Sequence, residues 1–166
     1  MQDIAKPDIL LEQLAEQLQT LLNNHRISNP LMVGIHTGGA WVAQSLHDTL
    51  SISEPLATLD ISFYRDDFSR IGINPKVKPS SLPPQVDDRH IILVDDVLHT
   101  GRTIRAAMNE IFDYGRPASI TFVCLIERDG RELPIQADIV GQKLNLDDGQ
   151  HIKLIGPDNL EFEVAS

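Results

Sequence analysis

Cysteine is almost absent from this 166-residue chain, where Cys124 stands alone. A disulfide framework within the chain is excluded, and the place of Cys124 in the apolar run Ile120–Ile126 predicts a buried small hydrophobe. Long apolar runs are missing too. A membrane-spanning helix needs roughly 18 or more consecutive apolar residues, and no stretch comes near that. The opening MQDIAKPDILLEQ has no basic region followed by an apolar core, so no secretory signal is expected and the expected location is cytoplasmic. Positive charge is scarce: 14 Lys and Arg against 24 Asp and Glu give a net charge of −10. An anionic ligand must then be held locally, by backbone amides, a few arginines and a divalent cation. Bulk attraction to nucleic acid is not expected, and DNA is excluded as a partner. Two nucleotide signatures are also lacking. No G-x-x-x-x-G-K-[ST] loop accompanies the acidic strand described below, and no G-x-G-x-x-G follows a strand. There is no internal repeat and no low-complexity tract, and the length fits one domain over 1–166.

What is present alternates between strand and helix patterns. Ile9, Leu11, Leu14, Leu18, Leu21 and Leu22 recur at helical spacing, predicting an amphipathic helix from near Pro7 to Asn24. Leu31–Ile35 reads as a strand, His36–Gly39 as a turn and Ala40–Leu50 as a helix. Leu56–Ser62 is a second strand, followed by a polar, proline-bearing stretch over 64–89 expected to be a flexible loop. A helix to about Tyr114 stops at Gly115-Arg116-Pro117, and strands follow at Ser119–Ile126 and Ala137–Gly141. Ile152–Ile155 and Leu160–Val164 flank Gly156-Pro157-Asp158-Asn159, the pattern of an antiparallel hairpin. Such alternation predicts an α/β fold with a central parallel sheet flanked by helices.

The most informative stretch is Ile91–Arg105, IILVDDVLHTGRTIR. Ile91–Val94 form the continuous apolar run of a strand buried on both faces. Asp95 and Asp96 follow it, at the carboxyl end where open α/β sheets bind ligands. Thr100, Gly101, Arg102 and Thr103 then offer amides, hydroxyls and a helix N-terminus, a setting suited to phosphate. Adjacent carboxylates beside a phosphate cradle point to a sugar phosphate whose hydroxyls the carboxylates hold.

That stretch resembles the 5-phosphoribosyl-1-pyrophosphate (PRPP) motif of type I phosphoribosyltransferases. Together with MVGIHTGGAWVAQSL, DISFYRDDFSR, GRPASI and ERDGRELPIQADIVG, in that order and spacing, it resembles the PyrR family over roughly residues 5–165. PyrR proteins are similar to uracil phosphoribosyltransferases, and in some bacteria they also bind pyrimidine-operon messenger RNA. The resemblance implies the type I phosphoribosyltransferase fold. A small hood formed by about 127–166 with the N-terminal segment would cover the base, and the 64–89 loop would act as a lid. It also implies uracil and PRPP as substrates, UMP and diphosphate as products, and Mg²⁺ as cofactor. Relatives are dimers or tetramers, so a homodimer or homotetramer is expected.

Site roles follow from that resemblance and from chemistry. Asp95 and Asp96 would hold the ribose hydroxyls, contacting the metal only indirectly because PRPP carries it. Val97, Leu98, His99, Thr100, Gly101, Arg102 and Thr103 would wrap the 5′-phosphate. Thr37, Gly38 and Gly39 match the family's pyrophosphate loop, where paired glycines let backbone approach an anion. Relatives often carry arginine where this chain has Gly38. Arg65, in Tyr64-Arg65-Asp66-Asp67, would reach the pyrophosphate as the lid closes and water is excluded. His99 is a candidate to accept the N1 proton of uracil, its alternative being a solvent-exposed or phosphate-bonded side chain. Glu127, Arg128 and Asp129 of the hood would lie over the base. Spacing alone does not choose uracil over hypoxanthine or xanthine. RNA as a partner is disfavoured: the first helix is acidic, and Gln136 and Gln142 replace residues that are basic in RNA-binding relatives.

Overall fold

The computed structural model describes residues 2–61 and 80–166. In chain order the elements are α1 (Pro7–Asn24), β1 (Leu31–Ile35), α2 (Gly38–Thr49), β2 (Ala57–Leu59), β3 (His90–Leu98), α3 (Arg102–Asp113), β4 (Ser119–Arg128), β5 (Ile139–Leu144), β6 (His151–Ile155) and β7 (Glu161–Ala165). The strands β2-β1-β3-β4-β5 form a five-stranded sheet whose neighbours are all parallel. The hairpin β6–β7 makes a separate antiparallel pair.

Why the central strands read as unbroken apolar runs is plain from the two cores. On one face, Leu10, Leu14, Leu18 and Leu22 of α1 and Val42, Ala43 and Leu46 of α2 pack on Val94, Val123 and Leu125. On the other, Ile104, Ala107 and Ile111 of α3 pack with Leu59, Leu93, Phe122 and Cys124. A strand covered on both sides has no solvent face to mark with polar residues. Removing one of these side chains, Leu93→Ala for example, should cost about 2–5 kcal/mol. The hairpin joins the first cluster through Ile152 and Leu154, while Lys153 between them is exposed.

Boundaries differ from expectation where the partners, not local pattern, set them. The helix expected from Ala40 begins at Gly38, so both glycines belong to its first turn. The motif strand does not end at Val94: it runs through both aspartates to Leu98, because the ten-residue β4 lies alongside it to Glu127. The strand expected over Leu56–Ser62 is seen at Ala57–Leu59, and Ser62 lies outside the described residues. The strand expected at Ala137–Gly141 runs instead over Ile139–Leu144. Of the expected 64–89 loop, residues 80–89 are described and are tied down. Thr58 N–H donates to Ser81 Oγ at 2.8 Å, Ser81 N–H donates to Thr58 O, and Val86 is fully buried. Cys124 is buried beneath α3 as expected, and burial pushes its thiol pKa upward.

Candidate active site

The carboxyl edge of the sheet brings the acidic pair onto the glycine turn. Asp95 is 5% exposed and its Oδ1 accepts the backbone N–H of Asp96 at 2.9 Å. Asp96 is half-buried, and its carboxylate has no hydrogen-bond or ion-pair partner among the described residues. Across from them stands the N-terminus of α2. A Cβ added to Gly39 would lie 2.8 Å from Val94 O and 2.9 Å from both Asp95 Cα and Asp95 Oδ1. One added to Gly38 would fall on Asp96 Oδ2 and within 2.6 Å of its Cγ. Only glycine permits so close an approach of backbone to backbone and carboxylate. Thr37, exposed, precedes the helix, and the His36–Thr37 peptide is cis.

Beyond Leu98 the chain turns into the expected phosphate loop. Val97 packs against the first core and Leu98 is 3% exposed, so these two offer backbone and not side chains. Gly101, at φ +95°, precedes α3, and Thr100 Oγ1 accepts the N–H of Arg102 at 3.2 Å. Thr103 is half-buried in the first turn of α3. Two residues of the hood segment brace the loop from outside: Glu132 and Leu133 both donate their N–H to Thr100 O, at 3.0 and 3.1 Å. Arg102 Nε meets Glu132 Oε2 at 2.8 Å, so part of its guanidinium is committed to this brace. Neither Glu132 nor Leu133 stood out in the sequence; the only available signal was the RELP string around them.

His99 lies in the same loop and touches the hood. A Cβ on Gly130, itself at φ +102°, would sit 2.8 Å from His99 Nε2. Burial first, and then the positive charge of Arg128, hold the His99 pKa below its ordinary value of 6.5. The neutral imidazole is therefore favoured, the form able to accept a proton.

Two of the three hood side chains meet backbone. Glu127 faces Lys143 at 3.9 Å, a long contact. Arg128 Nη1 donates to Gln150 O at 3.0 Å, and its buried Nε has no partner among the described residues. Asp129 Oδ1 accepts the N–H of Leu146 at 3.1 Å. A cavity of about 360 Å³ lies among Glu127, Arg128, Asp129, Arg131 and Lys143. Gln142 is turned to a structural task, since its amide accepts Ala5 N–H and donates to Asp3 O, pinning the N-terminal segment along the β5 edge. Arg65, with Tyr64, Asp66 and Asp67, lies outside the described residues.

The donors suit a hard cation shared with a ligand. No group of three or more His, Cys, Asp or Glu able to hold a metal occurs among the described residues. An unpartnered Asp96 carboxylate beside Asp95 fits magnesium, which takes one or two carboxylates and draws its other oxygens from substrate phosphates and water.

Comparison with known proteins agrees with this arrangement. Residues 3–155 match the phosphoribosyl transferase domain family. Proteins named Bifunctional protein PyrR are 57% identical over 159 residues in Nitrosococcus oceani, covering 95% of this chain and 90% of the relative. In Pseudomonas aeruginosa the match is 54% over 160 residues, covering 96% and 94%. Among solved structures, the purine phosphoribosyltransferase of Pyrococcus horikoshii aligns with a TM-score of 0.63 at 24% identity, covering 83% of this chain and 82% of that one. The hypoxanthine phosphoribosyltransferase of Staphylococcus aureus aligns with a TM-score of 0.66 at 19% identity, covering 87% and 78%. These two show the shared fold. A glycine turn packed on paired aspartates, a Thr-Gly loop opening a helix and this degree of identity place the chain in the phosphoribosyltransferase family, within its PyrR group.

Proposed function

We propose that this chain transfers the 5-phosphoribosyl group of PRPP to N1 of uracil in the cytoplasm, releasing UMP and diphosphate, with Mg²⁺ as cofactor. The observation that carries the reading is the contact of the Thr37–Gly39 turn with Asp95 and Asp96, next to a second anion cradle at Thr100–Thr103. Two cradles flanking a carboxylate pair match a ligand with phosphates at both ends of a hydroxylated sugar.

In the reaction the bond from C1 of the ribose to diphosphate oxygen breaks and its electron pair leaves with diphosphate. The N1–C1 bond forms and the N1 proton is lost. Catalysis of such a step is mainly positioning and electrostatics. Asp95 and Asp96 accept hydrogen bonds from the ribose hydroxyls, fixing C1 between base and leaving group. The amides from His99 to Thr103 and the Thr100 and Thr103 hydroxyls hold the 5′-phosphate at the start of α3. Backbone of Thr37–Gly39 receives the diphosphate, with Arg65 as its proposed cationic partner. Mg²⁺, when bound, neutralises charge on the departing diphosphate. His99, neutral through burial, accepts the N1 proton. Uracil follows from the PyrR resemblance, with the backbone of the hood reading the edge of the base. Homodimer or homotetramer formation belongs to the same reading.

The test is turnover of the purified protein with PRPP, Mg²⁺ and uracil, with hypoxanthine in parallel. UMP should form, hypoxanthine should be consumed more slowly, and Asp96→Asn should remove the activity. Full activity in Asp96→Asn would refute the assignment.

The relatives' name, Bifunctional protein PyrR, favours a second reading, a UMP- or PRPP-sensing regulator that binds pyrimidine-operon RNA. The net charge of −10 and the use of Gln142 to hold the N-terminal segment weigh against the phosphate contacts that RNA affinity requires. Absence of a salt-dependent shift with a leader RNA and UMP at moderate salt would remove this reading.

A further inference from the structure

The hood segment from Glu132 to Ile135 is a tight turn lying on the loop before α3. Ile135 N–H donates to Leu133 O at 2.8 Å across Pro134, the three-residue closure of a γ-turn. Proline fixes φ near the value that the common form of this turn requires, so the turn is largely set by its own sequence. Ile135 packs against the second core while Pro134 stands exposed, which anchors the turn on one side. Its inner side meets the loop through backbone. Thr100 O accepts the N–H of both Glu132 and Leu133, and a Cβ on Gly101 would lie 3.3 Å from Leu133 Cβ and 3.7 Å from Ile135 Cβ. Gly101 is buried here, and its own N–H has no hydrogen-bond partner among the described residues. A trans peptide is planar, with its N–H pointing opposite to its C=O. Two hood amides that hold Thr100 O therefore also fix the Gly101 N–H, turned away from the hood.

We propose that the Glu132–Pro134 turn is a positioning element for the 5′-phosphate. It holds the Thr100–Gly101 peptide in one orientation, so that the Gly101 N–H is aimed at the phosphate before the ligand arrives. The inference rests on the phosphoribosyltransferase reading above and adds to it a link by which the base-covering hood sets phosphate affinity. A turn that served stability alone would not distinguish a ligand carrying the phosphate from one without it.

Two variants probe the link. Pro134→Gly frees the turn and leaves every hydrogen-bond donor of the brace in place, and Glu132→Pro removes one of the two amides that hold Thr100 O. Calorimetric titration of the full chain with UMP, and with uridine by displacement, reads the effect, since these ligands differ only in the 5′-phosphate. In both variants UMP affinity should fall about threefold to tenfold, a partial loss of one hydrogen bond to a charged group, while uridine affinity stays within about twofold. Equal losses for the two ligands, or native UMP affinity in both variants, overturn this inference and leave the phosphoribosyltransferase reading standing. Failure of the native chain to bind either UMP or PRPP overturns both. Pro134→Gly decides the matter by itself should Glu132→Pro prove unfolded by its melting curve.

Discussion

The two proposed anion cradles at the carboxyl edge of the sheet are built on opposite plans. The Val97–Thr103 loop carries hydroxyls and an arginine and is held from outside, with Thr100 O accepting two hood amides and Arg102 paired to Glu132. The Thr37–Gly39 turn offers glycine backbone and is defined by what it lacks, since an added Cβ on either glycine would strike Asp95, Asp96 or Val94. One cradle is specified by groups that are present, the other by space kept empty. The first should therefore tolerate loss of a side chain, and the second should not tolerate a gain at Gly39, where the neighbours are backbone.

Four measurements can break or sharpen that contrast. The largest effect is expected at the point the two cradles share. Asp96→Asn should lower UMP formation by about 100-fold or more, the scale on which misplaced electrostatic groups act, and activity above a tenth of native would contradict it. Next comes overfilling of the turn. Gly39→Ala drives a methyl group onto Val94 O and Asp95 Cα, so urea unfolding should show a loss of about 1–3 kcal/mol. A native midpoint in that variant would mean the backbone yields. Truncating the braced loop should do far less. The Arg102–Glu132 pair is about half exposed on both sides, and Glu132→Ala should cost about 0–1 kcal/mol because solvent screens such pairs. Thr100 O would still accept its two backbone amides, so a larger loss would show that the ion pair carries the brace.

The smallest effect is a pH dependence. Burial and Arg128 lower the folded pKa of His99 below 6.5, so the unfolded chain binds this proton more readily than the folded one. Stability from this residue is present above 6.5 and is lost as pH falls through 6.5 toward the lower folded value. Melting temperatures of the native chain and His99→Gln between pH 7.5 and 5 should converge on acidification. A parallel offset at every pH would show that His99 is not buried against the hood.

Much of the layout was legible in the chain itself. The 3.6-residue spacing of Leu14, Leu18 and Leu22 and the proline at its start gave α1 its limits at Pro7 and Asn24, and the apolar run Leu31–Ile35 matched β1. These are local signals, set by periodicity and a single breaker. The ends of β3 and β5 were less legible, because ladder pairing with β4 decides where they stop. At the site, the acidic pair and the Thr-Gly turn could be read from residue type. The brace by Glu132 and Leu133 could not, and neither could the engagement of Gln142 with the N-terminal segment, since both join positions far apart in sequence.

By itself the sequence determined which chemistry the chain carries: two adjacent carboxylates after an apolar strand, a Thr-Gly turn opening a helix, paired glycines after the first strand, and an excess of acidic over basic residues. Those follow from composition and short-range order. Only the tertiary structure decided that the glycines of α2 lie against the aspartates of β3, leaving no room for a side chain at 38 while Asp96 keeps its place. The reason is that a parallel sheet joins strands through helical crossovers, so residues at neighbouring strand ends become neighbours only once the crossover has packed.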